Sequence, residues 1–131
     1  MPEPIKAFFD SYRDAFNRLD ARAVSAHYQV PSMISSASGA GLFSDENALT
    51  HNNEALCKHY AEAGFVRADY AVNLDLAQGD DFHLVDLQWT IAKTEAAPDV
   101  FSTTYQLVKR RGSDWKIEHV CAYSEKRFWA T

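Results

Sequence analysis

The apolar positions of this chain change period once, near Val66, and that change divides it into a helical part and a sheet part. Ahead of it, Ile5, Phe8, Phe9, Tyr12, Phe16 and Leu19 recur mostly at intervals of three and four, the spacing of one helical face. Asp10, Arg13, Asp14, Asn17 and Arg18 take the opposite face. Pro4 suits the first turn of such a helix. Asp20 is placed to cap a short second helix, Ala21 to His27, which Pro31 ends. Ser32 to Ser38 reads as a short strand, turned back by Gly39-Ala40-Gly41 into Leu42-Phe43. Ser44 or Asp45 then caps a helix running to about Glu62, with a stripe of Leu49, Asn53, Leu56, Cys57 and Tyr60. Asn53 is a polar residue inside that apolar stripe. Gly64 closes the helix in the usual C-terminal position.

From Val66 onward the alternation is that of strands. Tyr70, Val72, Leu74 and Leu76 alternate with Asp69, Asn73 and Asp75, and Gly79-Asp80 suits a two-residue hairpin turn. That turn sets Leu74 opposite Val85, Val72 opposite Leu87 and Tyr70 opposite Trp89, matching apolar to apolar. Leu84, Asp86, Gln88 and Thr90 take the other face. A loop from Glu95 to Asp99 leads to the last hairpin, Phe101 to Tyr123, which turns at Gly-Ser-Asp. Its first strand puts Thr103, Tyr105 and Leu107 on the side of Trp89. Its second puts Trp115, Ile117, His119, Cys121 and Tyr123 on one face. Setting Arg111 opposite Trp115 brings Leu107 beside His119 and Tyr105 beside Cys121.

Composition narrows the class. The chain has 131 residues, 47% of them hydrophobic and 13% aromatic, enough for one domain, 1–131, with one core. The net charge is −5, and the one basic run, Lys109-Arg110-Arg111, sits at a hairpin end; no nucleic acid partner is expected. No apolar run approaches the roughly 20 residues of a membrane helix, and the N-terminus has no signal-peptide pattern. The two cysteines, Cys57 and Cys121, both fall on apolar faces of the expected elements and read as free buried thiols. A cytoplasmic protein is the expectation.

Helices followed by a long antiparallel meander make an α+β order. The first helix with Phe8, Phe9, Tyr12 and Phe16, its Asn17-Arg18-Leu19-Asp20 end, and the closing hairpin from Tyr105 to Ile117 carry a resemblance. Over nearly its whole length the chain resembles the nuclear-transport-factor-2-like superfamily, also called SnoaL-like or ketosteroid-isomerase-like. The resemblance implies a curved, mostly antiparallel sheet forming a conical half-barrel over N-terminal helices. It also implies a homodimer through the outer sheet face, here Thr90, Gln88, Thr104, Gln106, Val108, Val120 and Ala122. Function is left open by it, since members include isomerases, dehydratases, cyclases and non-catalytic binding modules.

The candidate chemistry lies on the inner face. His119 is the candidate acid or base, because imidazole titrates near neutral pH. Tyr12, Asn53, Tyr70, Trp89, Tyr105 and Tyr123 are the candidate ligand-binding residues, suited to a small apolar or aromatic molecule. Asp69, Asn73, Asp75, Asp86 and Glu118 are expected to face outward, so the carboxylate base of the isomerase type has no counterpart. The histidines are scattered, and no Cys-x-x-Cys, His-Glu-x-x-His or Gly-rich phosphate loop exists; no metal and no cofactor is expected. Two readings follow: a ligand-binding domain, or an acid/base enzyme (isomerase, cyclase or dehydratase type) using His119.

Overall fold

A computed structural model describes residues 1–124. Helix α1 (Glu3–Asn17) begins with Pro4 in its first turn and buries Ile5, Phe9, Tyr12 and Ala15. It ends with Leu19 in the left-handed region (φ 50°). There the Leu19 amide bonds to the Phe16 carbonyl at 2.8 Å and the Asp20 amide reaches the Ala15 carbonyl at 3.1 Å. That pair of bonds satisfies the last carbonyls of the helix. Asn17 then anchors the helix to the sheet. It donates to the Ala68 carbonyl at 3.2 Å and accepts from the Ala68 amide at 2.7 Å, as a neighbouring strand would.

Asp20 caps α2 (Ala21–Ser25) by accepting from the Ala23 amide, and Asp45 caps α3 (Glu46–Glu62) by accepting from the Ala48 amide. Helix α3 buries Leu49, Asn53, Leu56, Cys57 and Tyr60, the stripe read from its sequence. Gly64 follows with φ +83°, and a Cβ there would lie 2.6 Å from Thr94 Oγ1. Glycine is therefore required at this position by conformation and by space.

Among the described residues six strands form one sheet in the order β2-β1-β6-β5-β4-β3. They are β1 (Tyr28–Ser36), β2 (Gly39–Phe43), β3 (Phe65–Gln78), β4 (Phe82–Lys93), β5 (Ala96–Lys109) and β6 (Trp115–Ala122). Strand β1 is longer than the sequence implied and contains Pro31, whose peptide bond with Val30 is cis. All described neighbours pair antiparallel except β1 with β6, which run parallel. The helices cover the concave side. Phe9, Leu87, Leu107 and Ile117 are fully buried between the layers. The chain thus has the α+β order expected from its patterning and the cone that the resemblance implied.

Two bulges set which side chains enter the cone. The β3–β4 turn holds three residues, since Gln78 pairs with Phe82. Leu74 therefore pairs with Asp86, not with Val85, and Asp75 takes the place opposite Val85. Asn73 is the extra residue that absorbs the offset, so Val72–Leu87 and Tyr70–Trp89 pair as expected. In the last hairpin Lys109, not Arg111, pairs with Trp115. Ile117 pairs with Leu107, Glu118 is extra, and His119 then pairs with Gln106 while Val120 pairs with Tyr105. One additional residue inverts every later side chain of β6. Val120 and Ala122 consequently face the core, and His119 and Cys121 face outward. That reverses the expected placement of all four.

Candidate functional site

The concave side of the sheet keeps a hollow beneath α1 and α3. Helix α1 contributes Tyr12 and Phe16, and α3 contributes Asn52, Asn53, Leu56 and Tyr60. Tyr28 and Ile34 of β1, Trp89 and Ile91 of β4, and Phe101, Thr103 and Tyr105 of β5 complete most of the wall, with Val120 and Ala122 of β6. The room it leaves for the centres of water-sized molecules is about 50 Å³, and its empty space counted out to solvent is about 580 Å³. The first figure governs what fits without movement: a few water-sized molecules. A one-ring ligand requires wall residues such as Phe16 or Phe101 to turn aside.

The aromatic wall is tied together by its polar tips. Tyr12 is 2% exposed, and its hydroxyl lies 2.8 Å from that of Tyr28. Burial pushes the Tyr12 phenol up, and the neighbouring Tyr28 and Tyr105 phenols add to the shift, so it stays protonated at neutral pH. The Trp89 indole N–H donates to the Tyr105 hydroxyl at 2.9 Å. Tyr12 packs against Trp89 and Tyr105 with ring centres 6.2 and 5.8 Å apart, within the range of favourable aromatic pairs.

Two adjacent asparagines differ in what they bind. Asn53 donates to Ser25 Oγ at 2.9 Å and so holds α3 to α2. Asn52 borders the hollow, and its Nδ2 is sealed from solvent with no hydrogen-bond partner among the described residues. An unpaired buried donor costs about 1–3 kcal/mol, so this amide is the feature of the wall that folding leaves unresolved. The sequence pattern singled out Asn53, because it breaks an apolar stripe. Asn52 lies one position off the stripe and gave no signal of its own.

Of the residues expected to bind a ligand, Tyr12, Asn53, Trp89 and Tyr105 border the hollow. Tyr70 does not; its hydroxyl donates to Asp10 at 2.6 Å. Burial first, and then that bond, raise the Tyr70 phenol far above its ordinary range. Tyr123 lies on the convex face, 50% exposed, with its hydroxyl 2.8 Å from Asp86 Oδ2. His119 also lies on the convex face, where Ser35 Oγ is 3.0 Å from its Nε2. It therefore has no access to the hollow through the sheet. Cys121, expected on an apolar face, shares this partly exposed outer side.

Carboxylates are also distributed differently from the sequence expectation. Asp86 faces outward as expected, yet it is only 9% exposed. Asn73 donates to it at 2.8 Å, Thr104 at 2.7 Å and Tyr123 at 2.8 Å. Asp75 was expected outside but turns toward the concave side, where it pairs with the buried imidazole of His83. Burial alone would raise the Asp75 carboxyl; the His83 contact and the nearby chain amine outweigh that and hold it below its usual range. The Trp115 ring stands 6.2 Å from His83. Neither Asp75 nor His83 borders the hollow. Among the described residues no three His, Cys, Asp or Glu side chains converge as metal ligands would.

The fold and this wall can now be set beside known proteins. The family model for NTF2-like protein (DUF6841) matches residues 2–125. The chain belongs to this NTF2-like family. Among solved structures it is similar to an NTF-2 like protein of unknown function from Shewanella oneidensis MR-1, with 16% identity over 93% of this chain and 98% of that one, at a TM-score of 0.75. It is similar to a ketosteroid isomerase-like protein from Erwinia carotovora atroseptica, with 21% identity over 92% and 93% of the two chains, at a TM-score of 0.70. A domain of unknown function with a cystatin-like fold from Nostoc punctiforme aligns at a TM-score of 0.75, with 14% identity over 92% of this chain and 75% of that one. Identities this low establish the shared fold. No curated protein matches the sequence. Among the described residues no helix is long and apolar enough to cross a membrane.

Proposed function

We propose that this NTF2-like domain binds a small, flat, apolar or aromatic molecule in the concave hollow. The observation that carries the reading is the composition of the wall. Its described residues are aromatic, aliphatic, or neutral and polar, and no Asp, Glu, His, Lys or Arg stands among them. Such a surface can stack on a ring and orient it by a few hydrogen bonds. It offers no group that exchanges a proton at neutral pH, since Tyr12 is held protonated by burial. The ligand-binding reading is therefore favoured over an acid/base enzyme centred on His119, which lies on the opposite side of the sheet.

A homodimer through the convex face belongs to the same proposal. Met33, Leu74, Leu76 and Phe82 are exposed there, around the hydrogen-bonded Asp86. Apolar side chains around a satisfied polar centre suit an isologous interface. The two free thiols fit a reducing, cytoplasmic setting.

The test is thermal unfolding with and without a panel of one-ring and two-ring aromatic molecules. Wild-type protein is expected to show a saturable rise in Tm with part of the panel. Ala122→Leu, which fills the hollow from β6, is expected to lose that rise while remaining folded. Absence of a rise across the panel, or its persistence in Ala122→Leu, would overturn the reading.

A further inference from the structure

We infer that the ligand is uncharged and carries a hydrogen-bond-accepting oxygen, which the Asn52 side-chain amide receives at the α3 wall; this rests on the ligand-binding reading above. Two independent features of the hollow lead there. The first is Asn52, which borders the hollow and whose Nδ2 is closed to water-sized molecules with no acceptor among the described residues, so a ligand reaches it as the neighbouring wall side chains turn aside. A buried donor left unpaired by the protein is satisfied when a bound molecule brings the missing acceptor. Ser32 Oγ is likewise sealed and unpartnered among the described residues, but Ser32 does not border the hollow.

The second feature is the absence of a countercharge. Among the described residues no Lys, Arg or His lies in the wall, so a carboxylate or phosphate would leave water without a cation from them to meet it. Several of the other polar groups of the wall are already engaged. Tyr12 pairs with Tyr28, Trp89 with Tyr105, and Asn53 with Ser25. Among the side-chain nitrogens of the wall, Asn52 Nδ2 is the one without an acceptor among the described residues. A neutral aromatic ketone, aldehyde or amide has the required chemistry: a ring for the aromatic wall and one carbonyl oxygen for Asn52.

The geometry also assigns different tasks to two neighbouring residues. Asn53 is structural, because its amide is spent on α2. Asn52 is a specificity residue, because a wall built to donate one hydrogen bond penalises an analogue that lacks the acceptor. Asn52 and Asn53 are nevertheless the same residue type on the same helix.

Acetophenone and α-methylstyrene are nearly the same shape and differ by C=O against C=CH₂; benzoate adds a charge at similar size. Dissociation constants of all three are measured by NMR titration of wild-type protein, Asn52→Leu and Asn52→Asp. The ratio of the acetophenone and α-methylstyrene constants is expected to shift about tenfold toward the hydrocarbon in Asn52→Leu, the size of one buried hydrogen bond. Comparing ratios cancels the different hydration of the two probes. Asn52→Asp, nearly isosteric, is expected to shift the ratio the same way, since a carboxylate repels the carbonyl oxygen. Benzoate is expected to bind none of the three proteins in the hollow. An unchanged ratio in both variants, or benzoate binding as tightly as acetophenone, would overturn the inference and leave the pocket standing. If no neutral probe binds wild-type protein, the pocket reading falls and this inference falls with it.

Discussion

Asp86 and Asn52 lie on opposite sides of the same cone, and the difference between them separates a structural polar group from a recognition group. Asp86, on the convex face, receives Asn73, Thr104 and Tyr123. Each of these donors comes from a different strand or strand end, so the carboxylate fastens β3, β5 and the end of β6 to β4. Asn52, on the concave side, has a donor that no described residue answers. Polar groups with all partners present stabilise a fold, and one left without a partner beside a cavity points to something that enters the cavity.

The largest effect is expected on the convex side. Asp86→Ala removes the nearly buried acceptor of three charge-assisted hydrogen bonds, from half-buried Thr104 and from the exposed Asn73 and Tyr123, and should lower the unfolding free energy by about 3 kcal/mol, read from urea denaturation. A loss below about 1 kcal/mol would show that solvent already satisfies those donors and that the contrast is overstated. Asn53→Ala comes next, with an expected loss of about 2 kcal/mol as Ser25 loses its partner and a small void opens. Asn52→Leu should cost nothing measurable or stabilise slightly, because it removes an unpaired donor. Equal losses at the two asparagines would break the distinction between them.

A smaller effect lies at the α1–β3 contact, whose polar groups are paired like those around Asp86. The Lys6 ammonium, and then the Tyr70 hydroxyl, hold the Asp10 carboxyl below its usual range. A depressed carboxyl contributes stability that is complete above its unfolded pKa and is lost as pH falls through the folded value. Tyr70→Phe removes one of the two donors. The stability gap between wild type and Tyr70→Phe should therefore narrow as pH drops from about 5 to about 3, below the ordinary carboxylate pKa. A constant gap would assign the cost of the substitution to packing alone. The smallest effect is a rate: burial pushes the Cys57 thiol up to about 11, so Cys57 should stay unalkylated in native protein at neutral pH while outward-facing Cys121 reacts. Prompt labelling of Cys57 would show that the packing of α3 beside α2 opens in the native protein.

How far the sequence could reach is visible at these same residues. The stripes of α1 and α3 were legible, because burial on one helix face leaves a period that no other element imitates. Tyr70 opposite Trp89 was legible because apolar residues on both strands agree there. The site was harder, and the reason is parity. Bulges at Asn73 and Glu118 each add one residue without a glycine or proline to mark it. The first bulge offsets a turn one residue longer than expected, so the pairing beyond it agrees with the simple reading. The second has no such compensation, and it moved His119 and Tyr123 from the cavity wall to the outer face. Asn52 was invisible for another reason: whether a polar side chain finds a partner is decided by three-dimensional neighbours, not by its place in a pattern.

The most direct test of the account is an amide chemical-shift map of the protein titrated with acetophenone. Saturable shifts are expected to concentrate at Tyr12, Asn52, Thr103 and Tyr105, around the hollow, with the amides of Ser35 and His119 unmoved. Shifts concentrated at Ser35, His119 and Cys121, with the hollow silent, would contradict it and return the site to the convex face.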